Sequence, residues 1–252
     1  MKQLLISLAS FFYLSNCIGQ FKIEELFITD SSQIKTPKDF IAKKNFYEDE
    51  KYKVRATCKG EFGGSIWFKN KKTGIEYACS ATCPLIVNKI RGKYYVTTSL
   101  LHMGGFSEII EIDNPELMEI FRLPKPDSLR GPNAKLYPDD YESKSRKGVK
   151  RLLDTMGIKT FTSFVSQGNL YHLIYKYLTD KLYIASIKNK EFNIVDTIPS
   201  FNLSMFKTSI ITADKHQIVF FADKCVEGYF EIFEDKIIVV RYDRFLKREN
   251  CH

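Results

Sequence analysis

Short apolar runs that alternate with polar residues, each halted by turn-forming residues, constrain this chain more than any other feature. Lys53-Val54-Arg55-Ala56-Thr57 alternates with a period of two, as a strand with one buried face must. Ser65 to Phe68 is β-prone, Asn70 to Gly74 is a turn, and Ile75 to Ala78 returns, which is a hairpin pattern. Leu85-Ile86-Val87, a turn at Arg91-Gly92 and Tyr94 to Thr98 continue it; Gly104-Gly105 turns the chain again and Ser107 to Ile112 alternates. Strands resume at Phe161. Leu170 to Tyr175, Leu182 to Ile187 and Phe192 to Ile198 read as one meander, and Ile210, Gln217 to Phe221, Gly228 to Phe233 and Ile237 to Tyr242 as another. Phe21 to Thr29 supplies an early strand.

Three stretches can be superposed on one another. Lys93-Tyr94-Tyr95-Val96 leads to Ile109-Ile110-Glu111-Ile112, Asn169-Leu170-Tyr171-His172 to Ile194-Val195-Asp196, and His216-Gln217-Ile218-Val219 to Val239-Val240-Arg241. Units of about 40 to 50 residues have the period of propeller blades. The sequence therefore predicts a mostly-β fold, a small propeller-like arrangement of four to five blades, with a β-sandwich or open barrel as the alternative.

A short helical insertion is expected near residues 114–157. Asn114 followed by Pro115 reads as an N-cap and first helical position, opening a helix through Phe121. A second helix is expected from Asp140 to Met156, because Val149, Leu152, Leu153 and Met156 fall at i, i+3, i+4 and i+7. Gly157 would be its C-terminal cap.

The first residues read as an export leader. Met1, Lys2 and Gln3 bring one positive charge, and Leu4 to Leu14 is apolar. That run is too short to cross a bilayer, which takes about 20 apolar residues. It has the length and flanks of a signal peptide. Two processing sites compete. One cut follows Gly19, with Cys17 and Gly19 as the small residues before it, leaving residues 20–252 as one mostly-β domain. The other treats Leu14-Ser15-Asn16-Cys17 as a lipobox, so that Cys17 carries a lipid and tethers the domain to the envelope without a membrane span. Asn16 is unusual before a lipidated cysteine, which favours the cut after Gly19.

Phe, Tyr and the lone Trp67 make up 14% of the chain, enough to fill a core without depending on disulfides. The formal net charge is +8, but the lysines are scattered among acids. The densest basic cluster, Lys144, Arg146, Lys147, Lys150 and Arg151, reads as the solvated face of one helix, with an anion-binding patch as the alternative. Export argues against nucleic acid as a partner.

An oxidising compartment permits disulfides. After loss of the leader, Cys58, Cys79, Cys83, Cys225 and Cys251 remain, an odd number, so at least one stays free or pairs with another chain. Both Cys58–Cys83 and Cys58–Cys79 are compatible with neighbouring β segments, and the first is preferred. Cys79 and Cys83 with His102 would give a metal only part of the four-ligand set that zinc needs, so no metal or cofactor is expected.

Candidate functional residues are sparse. Cys58 to Ser65 holds Gly60, Gly63 and Gly64, which allow close backbone approach to a ligand but match neither a dinucleotide nor a Walker loop. Glu61 lies within it. His102 stands before the glycine turn, with Glu108 nearby, and Trp67 is the lone indole. Glu108 and Glu111, three apart on a strand, would face opposite ways and cannot form an acid/base pair.

The leader ending Ile18-Gly19-Gln20, the segment Cys58 to Ser65 and the segment Val96 to Ile112 resemble those of exported, signal-peptide-bearing proteins of the Bacteroidota group. The resemblance implies an address and no activity. Two functions follow as expectations. The first is an exported binding or scaffold protein, secreted, periplasmic or lipid-anchored, with a protein or glycan ligand at His102, Glu61, Glu108 and Trp67. The alternative is a secreted hydrolase of polysaccharide or peptide using His102, Glu61 and Glu108.

Overall fold

The computed structural model describes residues 20–40, 46–100, 105–124, 136–179, 181–198, 209–213, 216–222 and 226–243. The chain opens with β1 (Lys22–Ile28) and runs through β2 (Tyr47–Glu48), β3 (Tyr52–Ala56), β4 (Ser65–Asn70) and β5 (Glu76–Ser80). β6 (Pro84–Ile90), β7 (Lys93–Leu100), β8 (Phe106–Ile112) and the two-residue β9 (Glu119–Ile120) follow. Next come β10 (Lys150–Met156), β11 (Ile158–Ser166), β12 (Asn169–Lys176), β13 (Lys181–Lys188) and β14 (Glu191–Ile198). β15 (Ser209–Ala213), β16 (His216–Ala222), β17 (Val226–Phe233) and β18 (Lys236–Asp243) complete the series.

These strands form four antiparallel meanders in chain order. The first sheet is β2-β3-β4-β5 with β9 beyond β5, and the second is β6-β7-β8-β10. The third is β11-β12-β13-β14. The fourth is β15-β16-β17-β18, with β1 added parallel to β18. Tight turns fix the registers. Arg91-Gly92 joins Ile90 to Lys93, and Gln167-Gly168 joins Ser166 to Asn169. All four turn residues have positive φ, between 49° and 82°, the two-residue geometry whose twist matches that of a hairpin.

Alternation along each strand decides which sheets meet. Val54, Ile66, Phe68 and Tyr77 of the first sheet pack against Val87, Tyr94, Val96, Ile110 and Ile112 of the second. Phe164, Leu173, Leu182 and Ile184 of the third pack against Val219, Phe221, Phe230 and Val239 of the fourth. Phe21 enters this second core edge-on to Phe164 and Tyr171, at 5.7 and 4.9 Å between ring centres. Burying such a side chain stabilises by about 1.5–3 kcal/mol.

Between the second and third sheets the contact is polar. β11 lies across β6, β7 and β8, and its inward residues are small. Thr160 Oγ1 lies 2.8 Å from Ser107 Oγ, and Thr97 Oγ1 lies 2.6 Å from Ser163 Oγ. Every buried hydroxyl here has a partner, as burial of polar groups demands.

The fold is thus mostly β, with the strand order of propeller blades within each sheet. No apolar cluster among the described residues joins the first sheet to the fourth as ring closure requires, and the face-to-face packing is sandwich-like.

The helical insertion is corrected. Asn114 does cap, its Oδ1 accepting from the Glu116 amide at 3.1 Å, but Pro115–Leu117 is one tight turn before β9. Pro138–Tyr141 is another such turn, and residues 150–156 form β10, paired with β8. The helix-like spacing has a physical source. A bulge between Arg151 and Leu153 inserts Leu152, so the apolar residues of a bulged strand fall three and four apart. Leu153 is buried and Met156 is exposed, which no core-facing helix stripe would produce. Gly157 turns the chain from β10 into β11.

Candidate functional site

The residues singled out from sequence do not gather into one site. His102 and Cys17 lie outside the described residues, as do Cys225, Cys251 and the leader. Glu61 sits in the turn Gly60–Phe62, beside the Cys58–Cys83 disulfide. Cys79 is free and buried, and burial pushes its thiol up to about 12, with Arg146 opposing and Glu108 reinforcing the effect. Trp67 is fully buried on β4. The Arg55 guanidinium lies 3.8 Å above its ring and Phe121 meets it edge-on, so it offers no exposed aromatic face.

Glu108 is also buried, 1% exposed, and fully engaged. Arg146 donates to both of its oxygens at 2.8 and 3.2 Å, and Arg151 Nε donates to Oε1 at 2.9 Å. The basic cluster expected on a helix face therefore supplies two of its arginines to one interior carboxylate. Lys150 reaches Glu111 at 3.7 Å. Among the described residues no three acids, histidines or cysteines stand close enough together to hold a metal.

His172 illustrates a site that chemistry does not favour. Its Nδ1 lies 2.6 Å from Ser163 Oγ, a serine–histidine contact of the kind nucleophilic hydrolases use. Both residues are wholly buried in the polar layer. Burial lowers the imidazole to about 3, so it is neutral at ordinary pH. Thr97, not a carboxylate, is the other partner of Ser163 Oγ. The contact links β11 to its neighbour β12 and, through Thr97, to β7, while His172 Nε2 has no hydrogen-bond partner among the described residues.

A more open feature lies where β2, β6, β11 and β16 converge. A cleft of about 710 Å³ is walled by Phe46, Tyr47 and Glu48 at β2 and by Ile86, Val87 and Asn88 on β6. Phe164, Val165, Ser166 and Gln167 at the end of β11 form the next wall. His216 and Gln217 of β16, Ile232, and the Glu234-Asp235 turn close it. Pockets of this size suit small ligands or short segments of larger ones.

Topology gives the cleft its chemistry. β2, β6 and β11 are the edge strands of their sheets, so each has one side without a strand partner. Backbone groups on such an edge are available to an added strand. The polar side chains are held in place. Asn88 Nδ2 and Gln217 Nε2 donate to the Ser163 carbonyl at 3.1 and 2.9 Å, and Thr162 Oγ1 donates to Gln217 Oε1 at 2.8 Å. His216 stacks on Phe233 at 4.3 Å, with its Nδ1 3.0 Å from Glu231 Oε1.

Electrostatically the lining is one-sided. Glu48, Glu234 and Asp235 contribute carboxylates, and no Lys or Arg is among the described lining residues. Lys71 pairs with Glu48 at 2.6 Å and Lys22 approaches Asp235 at 3.7 Å, both from outside the lining. Ile86, Val87, His216, Gln217 and Ile232 read from sequence only as parts of strand stretches, not as a site, and His216 is the first residue of β16.

Comparison with protein-family models, with curated proteins and with solved structures gave no match to this chain. Geometry alone therefore carries the functional reading.

Proposed function

We propose that this chain is an exported binding protein, secreted or held at the envelope, whose protein or glycan ligand occupies the cleft between β2, β6, β11 and β16. The cleft carries the reading: it joins apolar walls, oriented amides and open strand edges in one concave place. Export is supported by the Cys58–Cys83 disulfide, which persists in oxidising compartments. It is also in keeping with Phe21, the second residue after the expected cut, packing into the core. No helix among the described residues is long and apolar enough to cross a membrane.

The hydrolase reading draws no support from Glu108, whose carboxylate is committed to two arginines. Two measurements test the proposal. Intact mass of protein exported from a bacterial host, with and without reduction, should show a chain that begins at Gln20 and carries no lipid. Incubation of the mature protein with peptide and oligosaccharide pools should then retain a ligand chemically unchanged. Retention of the leader, or protein-dependent fragmentation of a pool, contradicts it.

A further inference from the structure

We infer that the cleft takes an extended, positively charged peptide segment of a partner protein, docked as an added strand on a sheet edge that has no strand partner. This deepens the binding reading above and rests on it.

Charge is the first argument. The whole chain carries +8, yet the cleft presents Glu48, Glu234 and Asp235 with no lining cation. At physiological ionic strength, fields fade over about 8 Å, so a ligand inside the cleft responds to these carboxylates and to Lys71 and Lys22, which partly neutralise Glu48 and Asp235. Glu234 makes no ion pair among the described residues, so its charge is available to a ligand. Acidic peptides and acidic glycans meet repulsion here.

Backbone geometry is the second argument, and it separates peptide from sugar. β6 at Ile86–Asn88 and the end of β11 beyond Ser163, whose carbonyl Asn88 and Gln217 already occupy, have an edge without a strand partner, and a strand repeats its donors and acceptors at about 3.3 Å per residue. A polypeptide repeats that pattern and an oligosaccharide does not. Strand addition of this kind draws affinity from backbone hydrogen bonds and selectivity from alternate side chains.

The walls supply the selectivity. Alternate residues of an added strand point to opposite faces. One set meets the exposed apolar side chains of Phe46 and Val165, and the other meets the carboxylates. A segment alternating Val or Leu with Lys or Arg satisfies both.

The test uses the mature protein with its disulfide intact and isothermal titration calorimetry. The probes are the capped pentapeptide Lys-Val-Lys-Val-Lys, its counterpart Glu-Val-Glu-Val-Glu, an N-methylated form of the basic peptide, and a neutral chitin hexasaccharide. The basic peptide should bind at least about tenfold more tightly than the acidic one, a difference of about 1.4 kcal/mol. N-methylation, which removes backbone donors and keeps the charge, should abolish binding. Combined Glu48→Gln, Glu234→Gln and Asp235→Asn changes, with folding checked by near-ultraviolet circular dichroism, should erase the charge preference. Equal or tighter binding of the acidic peptide overturns the inference, as does unchanged binding of the N-methylated peptide. Binding of the hexasaccharide alone overturns it while leaving the binding reading in force. Silence from all four probes overturns it too, and the pool experiment then decides the broader reading separately.

Discussion

Arg146 grips Glu108 through two parallel hydrogen bonds, at 2.8 and 3.2 Å, from a loop that sequence periodicity places on a helix. The contact ties the irregular segment before β10 to the buried middle of β8. Removing one partner of a buried pair leaves an uncompensated charge, which costs about 3–5 kcal/mol. Arg146 and Arg151 are partly exposed and can rehydrate, so Glu108→Gln should cost near the lower bound, about 3 kcal/mol. Arg151→Met should cost only about 1 kcal/mol, because that side chain is half-exposed. Urea denaturation of both variants checks the order; equal losses would show that Glu108 is not the centre of the network.

The Cys58–Cys83 bond closes a loop across 25 residues of sequence. Loop-closure entropy assigns such a crosslink about 3 kcal/mol. Cys58→Ser with Cys83→Ser should lower stability by about that amount, read as a lower guanidinium midpoint with a steeper slope, because the unfolded chain is released from its crosslink. Peptide mapping after iodoacetamide treatment at pH 8 should find Cys79 unmodified in the folded protein, since burial holds its thiol protonated.

Two interior groups make the protein sensitive to acid. Burial pushes the Asp49 carboxyl up. Hydrogen bonds from Lys89, Tyr94 and the amides of Tyr52 and Lys51 outweigh that and bring it down to about 2. Its folded value lies below the ordinary 3.8, so its stabilisation is full above about pH 4 and is lost as pH falls toward 2. His172 is lowered from 6.5 to about 3 by burial, so the unfolded chain binds its proton first and stability declines as pH falls from about 6.5 toward 3. Thermal midpoints from pH 8 to 3 should therefore drop in two stages. In Asp49→Asn the loss below pH 4 should shrink, and nuclear magnetic resonance should show the His172 ring neutral at pH 5. A His172 titration near 6.5 would contradict the burial argument.

Gly148 has φ of 72°, and a Cβ there would lie 2.6 Å from the Leu117 carbonyl carbon. Gly148→Ala should destabilise by about 2 kcal/mol through backbone strain, before any cost of displacing the neighbouring chain. A loss below about 0.5 kcal/mol would mean that the segment before β10 yields freely.

Much of the strand pattern is legible from local residues. Lys53 to Thr57 alternates and becomes β3, and Arg91-Gly92 turns where expected. The stretch 140–156 misleads because a bulge at Leu152 imitates helical spacing, and a bulge is a property of pairing with β8. The candidate site is less legible still. Tyr47, Asn88, Phe164 and Gln217 are remote in sequence and meet only because each belongs to an early strand of a different sheet. Glu108 attracts notice as an acid near a glycine turn, yet its role depends on two arginines that arrive from beyond the next element.

Hydrogen exchange by mass spectrometry, on the mature protein alone and saturated with a ligand retained from the pools, addresses the central claim most directly. Ligand seated among the open edges should slow exchange at Ile86–Asn88 and Phe164–Gln167 while leaving β14 and β1 unchanged. Slowing confined to β14 or β1, with those two segments unaffected, would place the ligand elsewhere and contradict the account.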